Sequence, residues 1–134
     1  MVQKHLKVAG IIWIAVVLGC TSRPKSSSPE DMRTFSKEAW KSEVLESSEP
    51  VLVDFWADWC GPCHMMDPTI ATLAKDYRVF RVNVDKNEPL ASQYQISAIP
   101  ALLIFKKGEL VERFTGVTDE KTLRAALEKV SAKG

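Results

Sequence analysis

The sequence predicts an α/β fold with helices packed on a mixed central β-sheet. Three observations lead to this fold class: a near-continuous apolar run over residues 51–56, a hairpin pattern around Lys107-Gly108, and an amphipathic helical pattern after a capping Asp119. A strand–helix–strand unit supplies parallel pairing, whereas a hairpin supplies antiparallel pairing. The two together predict a layered domain built on one mixed sheet.

The first half of the domain alternates between helical and strand-like segments. Residues 35–46 carry apolar residues at helical spacing, and residues 51–56 are typical of a strand buried on both faces. The next helix is predicted to begin near Cys60, with Pro62 in its first turn and a kink at Pro68.

The second half begins with a strand-like segment at residues 79–84 and a short helical one at 88–95. Residues 101–105 predict another buried strand. After the tight turn at Lys107-Gly108, residues 109–115 return as its hairpin partner. The last helix then closes the domain.

Composition and charge exclude some classes of function. The 134-residue chain is 46% hydrophobic and 26% charged, which suits one globular domain with its own core. Its formal net charge is +1, and this becomes −1 without the two lysines of residues 1–19. Nucleic-acid binding usually needs a concentrated basic face. We therefore expect no nucleic-acid partner. We also expect a monomer.

Residues 1–19 are similar to an export signal. Two lysines form a positive start, and residues 8–19 are an uncharged apolar run, shorter than the roughly 20 residues that cross a bilayer. The run ends in Val17-Leu18-Gly19-Cys20, which resembles the lipobox of bacterial lipoprotein precursors, although Leu18 replaces the usual small residue. The resemblance implies a lipidated Cys20. A short signal anchor, or a buried Cys20 without special chemistry, is the alternative.

Residues 20–30 are rich in Ser and Pro, a composition typical of a tether and not of a core. The chain has three cysteines, so a lipid on Cys20 would leave the other two as a pair. The predicted organisation is a signal peptide over 1–19, a lipidated Cys and tether over 20–30, and a domain over 31–134. We expect the domain at the bacterial cell envelope, facing the periplasm or the cell exterior.

The stretch Cys60-Gly61-Pro62-Cys63-His64 matches two motifs. As C-x-x-C-H it is the attachment signature of a c-type haem, and as W-C-G-P-C it is a dithiol redox site. The haem interpretation rests on the motif alone, because small cytochromes c are essentially helical. A zinc site would need further ligands, and His5 is the one other histidine. A structural disulfide is the third alternative to a redox site.

Four segments together resemble the thioredoxin family. They are VLVDFWADWCGPC at 51–63, AIP at 98–100, KKGELV at 106–111 and FTGV at 114–117. The resemblance covers residues 33–131. It implies a mixed sheet of about five strands flanked by about four helices. It also implies thiol–disulfide exchange with protein substrates, without a metal or another cofactor.

The resemblance assigns the chemistry to two cysteines and one acid. Cys60, at a helix N-terminus that favours an anion, attacks a substrate disulfide, and Cys63 resolves the mixed disulfide. Asp54 interrupts an apolar strand, where a buried, unpaired carboxylate tends to hold its proton. By resemblance Asp54 lies under the dithiol and relays a proton to or from Cys63. Local hydrogen bonds that merely satisfy the carboxylate are the alternative.

The resemblance also implies a substrate-binding surface. Pro100 is expected to form a cis peptide bond with Ile99 and to face Cys60, so that the Ile99 backbone pairs with an extended substrate. An ordinary turn proline is the alternative. The apolar rim on which substrate docks consists of Trp59, Gly61, Pro62, Ala98 and Gly116.

Three positions depart from the usual family residues. Arg81 stands where a lysine usually opens the strand next to Asp54, and a permanently charged guanidinium cannot share a proton with a carboxylate. His64 and Asp67 replace a basic and a small residue. We expect both to be solvated surface residues, with a partly charged His64 that favours the thiolates as the alternative.

The expected function is reduction of protein disulfides, because Gly61-Pro62 between the cysteines resembles the reducing members of the superfamily. Outside the cytoplasm such a protein needs an unidentified membrane or periplasmic electron donor. Two alternatives stay open. One is a disulfide oxidase or isomerase, and the other is a non-catalytic binding or assembly module that uses the same groove.

Overall fold

The computed structural model describes residues 36–134. The predicted signal peptide over 1–19, the lipidation site Cys20, the tether over 20–30 and the first domain residues, 31–35, lie outside the described residues. Within the described part of the chain, no helix is long and apolar enough to span a bilayer.

A mixed β-sheet forms the centre of the domain, as the sequence predicts. Its strands are β1 Val51–Trp56, β2 Arg78–Asn83, β3 Ala101–Lys106 and β4 Glu109–Thr115, in the order β2-β1-β3-β4. β1 is parallel to β2 and antiparallel to β3, and β3 forms a hairpin with β4. The described residues thus form four strands, where about five are predicted.

β1 is a central strand, and all six of its residues are buried. Helices cover both faces of the sheet, so apart from Asp54 the strand is a run of apolar residues and does not alternate between apolar and polar ones. Successive side chains point to opposite faces, and Val53 and Phe55 pack into one core while Leu52 packs into the other. Asp54 therefore lies on the same face of the sheet as Leu52 and Trp56.

Helices cover the sheet on both sides. They are α1 Lys37–Trp40, α2 Gly61–Met65, α3 Asp67–Leu73, α4 Glu88–Gln93 and α5 Glu120–Ala132. α1 continues directly as a π-helical turn over Lys41–Leu45. α2 and α3 are the two parts of the predicted kinked helix, because Pro68 lacks the N–H that would bond to the preceding turn. With α2 and α3 taken as one kinked helix, the described residues contain the four helices that are predicted.

Each face of the sheet has its own hydrophobic core. The core under α1 and α4 contains a group of aromatic rings among its aliphatic side chains, and the rings of Trp40 and Tyr94 lie 5.4 Å apart. The core under α3 and α5 is mainly aliphatic. α5 is capped by Asp119, whose Oδ1 accepts the Thr122 N–H at 3.0 Å. The face that α5 buries is the predicted one, formed by Leu123, Leu127 and Val130.

Candidate active site

Three loops meet at one end of the sheet. β1 ends at Trp56, and because β3 is antiparallel to β1, β3 begins at that same end. The loop after β1 leads into the dithiol motif, the loop before β3 carries Ile99-Pro100, and the turn after β4 carries Gly116. The topology therefore brings together the site residues that are far apart in the sequence.

Cys60 and Cys63 form a disulfide at the start of α2, with their Cα atoms 5.2 Å apart. Cys60 is the N-cap residue of α2, and its Sγ accepts the Cys63 N–H at 3.2 Å. Cys60 is 4% exposed, whereas Cys63 is completely buried. A sulfur held by an N–H at a helix N-terminus is stabilised as a thiolate. This geometry fits Cys60 as the nucleophile and Cys63 as the resolving thiol.

An exposed apolar rim surrounds the disulfide. Trp59 is 71% exposed and Met65 is 67% exposed. The Trp59 Nε1–H donates to Asp85 Oδ2 at 2.9 Å, which fixes the orientation of the ring. The other exposed rim residues are Gly61, Pro62 and Ala98. Trp59 and Met65 each lie within two residues of a cysteine of the pair, and large apolar side chains exposed beside a reactive group are typical of a protein-binding surface.

The Ile99–Pro100 peptide bond is cis, as predicted. Ile99 packs against the buried cluster that contains both cysteines, which places this loop beside the disulfide. The Pro100 carbonyl accepts the Gly116 N–H at 2.8 Å, so the loops before β3 and after β4 are joined. Gly116 has a φ of +89°, a backbone conformation that residues with a Cβ rarely adopt.

Asp54 is completely buried in the middle of β1. Arg81, at the position where a lysine is usual in the family, pairs with it: Arg81 Nε donates to Asp54 Oδ2 at 2.9 Å. Burial raises the pKa of Asp54 to about 6, and the neighbouring Arg81 opposes that rise. The second oxygen, Oδ1, has no hydrogen-bond partner within residues 36–134. It is the oxygen at which this carboxyl group can hold a proton.

Arg81 joins Asp54 to a second carboxylate. It lies directly opposite Asp54 in the parallel pairing of β1 and β2. Its Nη1 forms an ion pair with Asp67 Oδ1 on α3 at 2.9 Å. The guanidinium carbon lies 4.7 Å from the centre of the Trp56 ring, a cation–π contact that orients the group. The planar fork of an arginine can engage two acids through different nitrogens.

Comparison with known proteins identifies the family. The thioredoxin family model matches residues 31–129. The chain belongs to the thioredoxin family. It is 50% identical over 94 residues to Thioredoxin 1 of Synechococcus elongatus, covering 67% of this chain and 88% of that one. It is 42% identical over 108 residues to the chloroplastic Thioredoxin M-type of Spinacia oleracea, covering 78% and 60%. Among solved structures, a point mutant of a thioredoxin from Halobacterium salinarum is 38% identical, with a TM-score of 0.67 and coverage of 72% and 86%.

Thioredoxins are protein disulfide oxidoreductases, and this thioredoxin has the corresponding redox-capable pair in Cys60 and Cys63. The dithiol interpretation of the motif agrees with the family, the fold and the disulfide in the structure. The haem-attachment interpretation of the same residues has no support in the fold or in the comparisons.

Two half-exposed residues of this thioredoxin have partners that the sequence did not reveal. His64 Nδ1 lies 3.3 Å from Asp67 Oδ2, and His64 Nε2 lies 2.9 Å from the Asp58 carbonyl oxygen. The carbonyl of Asp58, and then the carboxylate of Asp67, raise the pKa of His64. Both residues lie at the surface, as expected, and they also contact each other. The spacing of three residues between His64 and Asp67 on a helix could have predicted their contact. No feature of the sequence indicates the ion pair between Asp67 and Arg81.

Proposed function

We propose that this thioredoxin reduces disulfide bonds of protein substrates outside the cytoplasm, held at the membrane by a lipid on Cys20. The structural observation that supports disulfide exchange is the position of Cys60, whose Sγ accepts an N–H at the start of α2. The reducing direction is supported by Gly61-Pro62 between the cysteines, which resembles the reducing members of the superfamily. The exposed rim around Cys60 gives a substrate protein access to its sulfur.

The reaction proceeds through a mixed disulfide. The Cys60 thiolate attacks one sulfur of the substrate disulfide, and the other substrate sulfur leaves as a thiolate and takes up a proton. The Cys63 thiol then loses its proton, attacks Cys60 Sγ and displaces the remaining substrate sulfur. Two electrons pass to the substrate, which is released as a dithiol, and the protein is left with the Cys60–Cys63 disulfide.

Asp54 accepts the proton of Cys63 in the second step. A carboxyl group with a pKa of about 6 is mostly ionised at neutral pH and is more basic than an ordinary aspartate. Arg81 holds Oδ2 and leaves Oδ1 unbonded within the described residues. Because a guanidinium keeps its charge, Arg81 orients Asp54 and does not carry the proton.

Protein substrates dock as an extended segment across the loop at the cis Ile99–Pro100 bond. The Ile99 backbone pairs with that segment, in the manner of strand addition. Apolar contact around the reacting sulfur comes from the rim residues, Trp59, Gly61, Pro62, Ala98 and Gly116.

Export and anchoring are supported by the N-terminal sequence. Residues 1–19 combine a positive start with an apolar run, Cys20 ends a lipobox-like segment, and residues 20–30 have the composition of a tether. The match to the thioredoxin family begins at residue 31, so these segments precede the domain. In such a location, a membrane or periplasmic electron donor must return the disulfide to the dithiol.

The reduction potential of the Cys60–Cys63 pair tests the direction of the reaction. We expect a value close to that of thioredoxin, about −270 mV, when the purified protein is equilibrated in glutathione or dithiothreitol buffers. A value close to about −120 mV would make the protein an oxidant. Activity on substrates with scrambled disulfides would indicate an isomerase. A variant with both cysteines replaced by serine that still complements a deletion would indicate a binding module.

Lipid labelling tests the location. In cells fed a labelled fatty acid, the protein should take up label and sediment with membranes, and Cys20→Ser should abolish both. Cys60→Ser is the matched control, because it removes a cysteine of the redox pair and should leave the label in place. Equal labelling of all three proteins, or of none, would contradict the proposed anchor.

A further inference from the structure

We propose that His64, Asp67 and Arg81 form a chain of charges through which the protonation of His64 controls the ionisation of the buried Asp54. Together with Asp54 these residues form the charge chain. In this role His64 is a positioning residue for disulfide exchange. The inference does not depend on where the protein works or on the direction of its reaction.

The chain is centred on one cation between two carboxylates. Arg81 Nε donates to Asp54 Oδ2, and Arg81 Nη1 lies against Asp67 Oδ1, each at 2.9 Å. The Asp54 side chain is completely buried, whereas the Asp67 side chain is 44% exposed. Asp67 therefore competes with Asp54 for the same positive charge, and its negative charge raises the pKa of Asp54.

The geometry around His64 selects its charged form. Nε2 faces the Asp58 carbonyl oxygen at 2.9 Å, and Nδ1 faces Asp67 Oδ2 at 3.3 Å. Both oxygens accept hydrogen bonds only, and a neutral imidazole has a single N–H. Both contacts are hydrogen bonds only when His64 carries two protons. The other groups facing the ring are the edge-on Trp56 ring, 6.0 Å away, and the charge of Arg81.

The sign of the coupling follows from the alternation of charge. With His64 protonated, cations and anions alternate along the charge chain in the order His64, Asp67, Arg81 and Asp54. The Asp67 carboxylate then interacts with two cations, His64 and Arg81. When His64 loses its proton, Asp67 is balanced by Arg81 alone. Less of the Arg81 charge then stabilises ionised Asp54, so the pKa of Asp54 rises. Protonated His64 thus keeps Asp54 ionised, and able to accept the Cys63 proton, at lower pH.

The test is a titration of the Asp54 carboxyl carbon by ¹³C NMR in the full-length disulfide form, in which neither cysteine of the redox pair titrates. His64→Gln should raise the pKa of Asp54 by on the order of half a unit, less than the roughly 1–3 units of a direct charge contact. His64→Lys, which restores a cation beside Asp67, should return it to the wild-type value. Asp54→Asn identifies the resonance.

A second set of variants, made in the Asp67→Asn protein, distinguishes an effect that passes through the charge chain from a direct effect of His64 on the pKa of Asp54. In the Asp67→Asn protein, His64→Gln should leave the pKa of Asp54 unchanged, because the connecting charge is gone. Asp76→Asn is the matched control, since Asp76 is an exposed acid paired with Arg124. In that background the effect of His64→Gln should persist in full.

Three results would each overturn the proposal. An equal shift in the wild-type and Asp67→Asn backgrounds would overturn the proposal, and so would no shift in wild type or no rescue by His64→Lys. If the coupling holds, the acid limb of the pH–rate profile for resolution moves to higher pH in His64→Gln, by the same amount as the pKa of Asp54. The NMR titration measures the pKa of Asp54 without any catalytic turnover. It can therefore be interpreted even if the protein turns out not to be a reductase.

Discussion

Replacing Asp54 by asparagine should make the protein more stable at neutral and alkaline pH. The pKa of Asp54 is raised from 3.8 to about 6, because burial disfavours the carboxylate more than Arg81 favours it. Between these two pH values the folded protein holds the proton more tightly than the unfolded chain does. Stability therefore falls as pH rises through this window, and the loss is complete above a pH of about 6.

The size of the effect follows from the same shift. One pKa unit corresponds to about 1.4 kcal/mol, so the ionisation of buried Asp54 costs about 3 kcal/mol above the window. An asparagine side chain would have nearly the shape of the protonated acid and no charge to bury. We expect the free energy of unfolding of Asp54→Asn to exceed that of wild type by up to about 3 kcal/mol near pH ~8. Near pH ~4 the two proteins should be almost equally stable.

Denaturant unfolding of the disulfide form, followed by tryptophan fluorescence at several pH values, measures this difference. Asp76→Asn is the control, because its exposed side chain should change stability by less than about 0.5 kcal/mol at every pH. A variant less stable than wild type at the alkaline end would refute the reasoning. A difference that does not change with pH would refute it as well.

Three further predictions concern the reaction and the loops. Asp54→Asn should slow resolution of a preformed mixed disulfide at neutral pH by about 10²-fold, the lower end of general base catalysis, in single-turnover measurements. Trp59→Ala should lower kcat/KM about tenfold for a protein disulfide and much less for a small aromatic disulfide, because only the protein covers the rim. Gly116→Ala should destabilise the fold by about 1–2 kcal/mol in denaturant unfolding through its backbone alone, since an added Cβ meets nothing within 4 Å. Gly61→Ala, equally open but without a positive φ, should be close to neutral.

The sequence predicts those parts of the fold that local patterns determine. The buried run of β1 and the hairpin at Lys107-Gly108 depend on neighbouring residues only, and the structure has both. The kink near Pro68 follows from a missing N–H, which is also a local property. The cis bond before Pro100 was expected from resemblance, because an isolated Ile-Pro pair gives no sign of its isomer.

The charge chain could not be predicted in the same way. Arg81 contacts Asp54 because these residues lie opposite each other in the β1–β2 register, and a slip by one residue would turn Arg81 to the other face. Asp67 reaches Arg81 only because the break between α2 and α3 sets where α3 lies on that face. Both contacts depend on the packing of separate elements, which no local pattern encodes.

Stability and chemistry have opposite requirements at Asp54. An apolar residue would suit the centre of β1, and the ionised acid removes about 3 kcal/mol from a domain stability that is typically about 5–15 kcal/mol. The same burial makes the carboxylate basic enough to accept a thiol proton. If Asp54→Asn is both more stable and slower, one cause explains both changes. If it is more stable but equally fast, the buried charge is real and the proton of Cys63 leaves by another route. If the variant is neither more stable nor slower, Asp54 is not ionised at neutral pH, and Arg81 forms an ion pair with Asp67 alone.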